Sequence, residues 1–101
     1  MPITSAIKDN VAELVFTEKL IFSDAAAFRK LLLATLTPQV KKCVFDVAKL
    51  TYMDSSGLGM IMVALKECQQ RNVSLEIHHP TTDVKSLLEM TKTHERIRIV
   101  P

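Results

Sequence analysis

The chain has 101 residues, 48% hydrophobic and 24% charged, a globular mixture of single-domain length and not that of a disordered or fibrous chain. A net charge of +2 and 5% aromatic content, with no Trp, exclude a basic stacking surface for nucleic acid and a strong pull toward anionic membranes. Two glycines and four prolines leave little material for flexible linkers.

Residues 3–7 ("ITSAI") and 11–16 ("VAELVF") flank a turn at 8–10, which predicts an opening β-hairpin. Ser23 is placed to cap a helix over 24–36, whose apolar stripe is Phe28, Leu31, Leu32 and Thr35. Arg29 and Lys30 lie off that stripe, and Thr37-Pro38 stops the helix. Cys43, Val44, Phe45 and Val47 are nearly continuous, the pattern of a central strand over 43–47 buried on both faces. A second helix is predicted over 58–70. Residues 73–78 alternate as a strand, with Val73, Leu75 and Ile77 inward. A third helix is predicted over 82–91. The terminal "RIRIV" reads as a short edge strand or an extended tail, and the charge-rich "THERIR" as solvated.

Strands alternating with helices after a hairpin predict an α/β fold. We expect a mixed sheet of four to five strands with three main helices packed on it, all in one domain over 1–101. Strands 43–47 and 73–77 should be parallel neighbours, joined right-handed through the second helix. The N-terminal "MPITSAIKDN" has no apolar core of a signal peptide, and no apolar run nears the roughly 18 residues of a membrane span. Cys43 and Cys68 lack C-x-x-C spacing and predict two buried thiols in reducing surroundings. These features predict a soluble, cytoplasmic protein.

Residues 51–62, "TYMDSSGLGMIM", carry the candidate site. They fall where a strand C-terminus meets a helix N-terminus, a place where free N–H groups and the helix dipole favour negative charge. Capping explains one polar side chain among Asp54, Ser55 and Ser56, at about 1 kcal/mol, but not three in a row. A catalytic serine needs a base and an oxyanion hole. The G-x-S-x-G elbow is absent, because Met53 stands where its first glycine belongs, and nothing orients His78, His79 or His94. An acyl-phosphate on Asp54 would need an acidic cluster, and only Asp46 shares its strand. Phosphorylation is the third reading: a phosphate here is tolerated by the fold and alters whatever docks on the surface.

On a helical wheel Leu58, Ile61, Met62 and Leu65 form the expected core face. Met60 and Val63 lie opposite with Glu67, and Gly59 leaves a bare position between them. Apolar residues on an outer face are either covered by other elements of the fold or meet a partner. His78 and His79, adjacent on a strand, are expected on opposite faces and so cannot share a metal.

The segment "MDSSGLG" at 53–59, behind the strand "CVFDVAKLTY", resembles the STAS domain of anti-sigma factor antagonists, and the similarity runs from the hairpin to the third helix. The resemblance implies that Ser55 is phosphorylated by a partner-switching serine kinase, often itself the anti-sigma factor. The unphosphorylated form binds that kinase and frees the sigma factor, and a serine phosphatase of the 2C type reverses the mark. It implies that Ser56 shapes the loop and caps the helix, and that Asp54 orients the loop or the acceptor hydroxyl. Gly57 and Gly59 would admit the partner's backbone. The expected partner-binding set is Asp54, Ser56, Gly57, Leu58, Gly59, Met60 and Val63. No catalytic residue, cofactor or metal is expected, and the free protein is expected to be a monomer. Many members carry a Gly-x-Leu-Asp-like segment after the second strand. Here "TEKLIFSDA" puts Glu18 near the usual Gly and Ile21 near the usual Asp, which bears on partner identity. The alternative is an unswitched STAS subunit of a larger assembly, such as a biofilm or secretion regulator, a stressosome-like scaffold or a lipid-transport complex. An enzyme or nucleotide-binding protein is a third reading. It lacks a phosphate-cradling glycine loop, an oriented base and a metal cluster.

Overall fold

Three aromatic side chains tie the layers together. Phe16, Phe28 and Phe45 are fully buried, with ring centroids 6.0 Å (Phe16–Phe28), 5.1 Å (Phe16–Phe45) and 6.0 Å (Phe28–Phe45) apart. Such tilted and edge-on pairs add about 0.5–1.5 kcal/mol each beyond their burial. The computed structural model describes residues 3–101. Its elements are β1 (Ile3–Lys8), β2 (Val11–Leu20), α1 (Ala25–Thr35), β3 (Lys42–Met53), α2 (Ser55–Gln70), β4 (Ser74–His78), α3 (Thr82–Met90) and β5 (Arg98–Val100). The aromatic cluster therefore joins β2, α1 and β3.

The sheet order is β1-β2-β3-β4-β5. β1 runs antiparallel to β2, the expected hairpin, and the other pairs are parallel, with Cys43 opposite Leu75 and Phe45 opposite Ile77. Each crossover advances to the next strand in the same direction. With the usual right-handed connection, that places all three helices on one face. The strand alternation agrees. Ala12, Leu14, Phe16, Cys43, Phe45, Leu75 and Ile77 are buried in a single core that also holds the inner residues of α1, α2 and α3. Glu13, Lys42, Asp46, Glu76, His78 and Arg98 share the opposite face, which no helix covers. There Glu76 Oε1 lies 2.8 Å from His78 Nε2 and 3.3 Å from Lys42 Nζ. The hydrogen bond to His78 foremost, then Lys42, holds the Glu76 carboxyl below its ordinary value.

Two strands run longer than their sequence signals. β2 continues past 16 to Leu20, and β3 continues past 47 to Met53. The reason is a pair of register shifts, between Val15 and Thr17 and between Glu18 and Lys19, that let pairing resume after a polar interruption. Glu18, which the resemblance puts near a usual Gly, takes the left-handed conformation there, φ 65°. The Thr51 hydroxyl donates to the Glu18 carbonyl at 2.8 Å and fixes the kink.

The start of α1 also differs from expectation. Ser23 is exposed inside a 3-10 turn at Phe22–Asp24, and the helix proper begins at Ala25. The Asp24 carboxylate closes that 3-10 turn and does not cap α1, accepting the Ile21 N–H at 2.9 Å while the Asp24 N–H donates to the Ile21 carbonyl at 2.9 Å. The terminal "RIRIV" forms the short edge strand of the two alternatives, β5 pairing with β4. In "THERIR", His94, Glu95, Arg96 and Arg98 are exposed as expected, while Thr93 and Ile97 turn into the core. Cys43 and Cys68 are free and buried, as expected. They meet between β3 and α2, where the hydrogen bond with Cys68 and burial push the Cys43 thiol far up, so it stays protonated.

Two outcomes follow for stability. Glu18→Gly relieves the left-handed side-chain penalty, so urea unfolding should show a gain of at most about 1 kcal/mol. Because the Glu76 pKa is depressed in the folded state, its stabilisation is present above the unfolded value and is lost as pH falls through the folded one. Thermal unfolding below about pH 4.3 should therefore weaken more steeply in the native chain than in Glu76→Gln.

Candidate switch site and partner surface

β3 occupies Thr51, Tyr52 and Met53, so Asp54 alone separates strand from helix. Asp54 is extended, and its Oδ1 accepts the Gly57 N–H at 2.8 Å. The cap therefore belongs to Asp54, not to Ser56 as the family resemblance implied. The Leu58 N–H donates to the Asp54 carbonyl at 3.1 Å and opens the helical ladder. From the other side, the Asp54 N–H points at the Leu20 carbonyl at 3.4 Å, joining the junction to the end of β2.

The same Leu20 carbonyl explains Gly57. A Cβ there would lie 2.5 Å from Leu20 O and 2.5 Å from Met53 Cγ. Gly57 is buried, so its bare Cα admits the chain's own backbone and not a partner's, which corrects that expectation. Gly59 is the opposite case: it is exposed, and a Cβ there would meet nothing within 4 Å.

The helical phase differs from the wheel drawn on the sequence. Gly57, Met60, Ile61, Ala64, Leu65 and Cys68 are the buried residues of α2. Met60, expected on the outer face, is only 6% exposed, while Leu58 and Met62, expected in the core, are half-buried flanks. Two small residues, Gly57 and Ala64, turn inward where the helix sits close to the sheet. A wheel weighted by large apolar side chains rotates toward Leu58 and Met62 and misses them. Ser55, Gly59 and Val63 are exposed and fall at i, i+4 and i+8, one stripe along the solvent side. Ser55 is the first residue of α2, and Asp54 relieves it of capping; Ser56 is half-buried beside it.

That stripe borders a groove of about 370 Å³ between the two helices. Phe22, Ala25, Phe28 and Arg29 form one wall, and Ser56, Gly59, Met60 and Val63 the other. Its apolar rim is open: Phe22 is 76% exposed and Val63 is 42% exposed. Phe22 and Arg29 were not singled out from the sequence. The available signal was an aromatic residue in the polar lead-in "IFSD", outside any periodic stripe.

The histidines lie elsewhere. His78 bonds to Glu76, and His79, expected on the opposite face, turns back with φ 61° until its Nδ1 is 3.6 Å from Asp46 Oδ1. The two rings stand 5.7 Å apart on the charged face of the sheet. Among the described residues no hydrogen bond links either serine to a histidine. No cluster of three or more His, Cys, Asp or Glu among them has the arrangement of a metal site. Among the described residues no helix is long and apolar enough to cross a membrane.

Removing the cap by Asp54→Ala should cost about 1 kcal/mol in urea unfolding, with Asp54→Asn retaining most of it. The two glycines should part company in the same assay. Gly57→Ala drives a methyl into backbone and should cost about 1–3 kcal/mol. Gly59→Ala, in open space on a helix, should gain about 0.5–1 kcal/mol.

The STAS domain sequence profile matches residues 3–101. Among solved structures, a putative anti-sigma factor antagonist of Thermotoga maritima superposes with a TM-score of 0.88 at 21% identity, over 98% of this chain and 86% of that one. The Bacillus cell fate determinant SpoIIAA in its phosphorylated form superposes with a TM-score of 0.69 at 12% identity, over 98% of this chain and 91% of that one. The murine anion transporter Slc26a9 matches with a TM-score of 0.80 at 14% identity, over 93% of this chain but 16% of the transporter. At these identities the superpositions establish a shared fold, and the sequence profile establishes the family. The chain belongs to the STAS domain family.

Proposed function

We propose that this protein is a phosphorylation-controlled anti-sigma factor antagonist. Unphosphorylated at Ser55, it binds an anti-sigma factor that is also a serine kinase; phosphate on Ser55 dissolves the complex, and a 2C-type phosphatase restores it. The observation that carries this reading is the display of Ser55. Its hydroxyl is exposed at the first residue of α2, released from capping by Asp54, at the head of the stripe that borders the open apolar groove. A kinase can reach it without unfolding anything, and the dianion then sits at the edge of the docking face. SpoIIAA, which shares the fold, exists in a phosphorylated form.

In this reading Gly59 and Val63 touch the partner directly, with Phe22 on the facing wall, and Met60 floors the groove. Asp54, Gly57 and Leu58 act by holding the first turn of α2. A phosphate at the interface is costly to desolvate against a partner's apolar surface. The scaffold reading has one observation in its favour, the fold's occurrence as a small part of a transporter. The exposed switch position favours the first.

The test is binding to the anti-sigma factor kinase encoded in the same cell, measured by titration calorimetry with Ser55→Ala and Ser55→Asp. The Asp variant should bind at least about a hundredfold more weakly. Equal affinities would overturn the switch and leave the scaffold reading.

A further inference from the structure

The geometry points to Arg29 as the residue that receives the Ser55 phosphate, closing the groove between α1 and α2 over itself. This rests on Ser55 being the phosphorylated residue, and it goes beyond that reading by giving the phosphate an acceptor within the chain. Among the described residues Arg29 is the one charged side chain lining the groove, whose walls are otherwise apolar but for Ser56. It is exposed, and among the described residues it has no ion-pair partner. Across the groove stand Gly59 and Val63, which share a helical stripe with Ser55, and Ser56 lines the groove itself. A phosphate on Ser55 brings a charge of about −1.5 to −2 and three acceptor oxygens to the end of that stripe. It cannot use the Gly57 N–H, because the Asp54 carboxylate already holds it and repels a second anion. The guanidinium fork matches a phosphate through two parallel hydrogen bonds.

Gly59 lets this happen sterically. With nothing within 4 Å of its missing Cβ, a guanidinium can lie over the helix surface there. Arg29 drawn toward Ser55 lies over the bare Gly59, beside Met60 and Val63, and narrows the groove an apolar partner needs. Phosphorylation then acts twice, by adding charge at the rim and by covering the groove with the chain's own side chain. Without phosphate, Arg29 has no anion to hold it and the groove stands open.

The experiment installs phosphoserine at position 55 by genetic code expansion, so neither kinase nor partner is required. Unfolding by urea is compared for serine and phosphoserine at 55, each with Arg29 and with Arg29→Gln. The pairing predicts that phosphoserine and Arg29 are coupled by about fivefold in the folding equilibrium constant. The methyl NMR signals of Met60 and Val63 should shift on phosphorylation only when Arg29 is present. Lys30→Gln, an exposed neighbour on α1 outside the groove, should leave both readouts unchanged. Additive substitutions, within twofold, would overturn the pairing, and coupling without methyl shifts would overturn groove closure. Either failure leaves the Ser55 switch to stand on its own binding measurement, while loss of the switch would show there and not here.

Discussion

The seating of α2 on the end of β2 is the contact that the rest of the site depends on. At Gly57 the helix comes so close to the Leu20 carbonyl that no side chain fits. That contact fixes the rotation of α2 about its axis. With Gly57 inward, periodicity sends Met60, Ile61, Ala64 and Cys68 inward after it, and sends Ser55, Gly59 and Val63 to solvent. Asp54 locks the same turn from the other side by taking the Gly57 N–H. The paired hydroxyls beside it are thereby freed for another use. Ser55 is exposed because of Asp54 and Gly57.

Much of this was legible in the sequence, and the failures share a cause. The hairpin, the parallel pairing of the two central strands, three helices and the place of "DSSG" at a strand–helix junction all follow from apolar periodicity and turn residues. The rotation of α2 does not, because hydrophobic weighting undervalues glycine and alanine, the residues that mark the closest packing. The strand ends are hidden for a related reason. Thr17-Glu18-Lys19 looks like a loop, yet two bulges carry it through and return Leu20 to the core. Phe22 shows the reverse: its size suggests core, but it stands in a 3-10 turn facing solvent. Position-specific contacts such as the Asp24–Ile21 pair leave only a weak trace in a single sequence.

The departure from the usual family segment after β2 takes on a physical meaning here. The backbone conformation that a glycine would favour persists at Glu18, at a strain cost of about 1 kcal/mol. The acid near its usual place is replaced by Ile21, and Asp24, three residues on, reaches back to hold the turn. The chain path that supports Leu20, and through it Gly57, therefore holds with Glu18 and Phe22 both exposed on its surface.

The central claim is that the fold presents Ser55, and not its neighbour, for modification. The most direct measurement is incubation of the purified chain with ATP and the native cell extract, followed by site mapping of the phosphate by tandem mass spectrometry. We expect phosphate on Ser55 alone, with the half-buried Ser56 unmodified and no incorporation in Ser55→Ala. Phosphate on Ser56, or incorporation that survives Ser55→Ala, would contradict the claim.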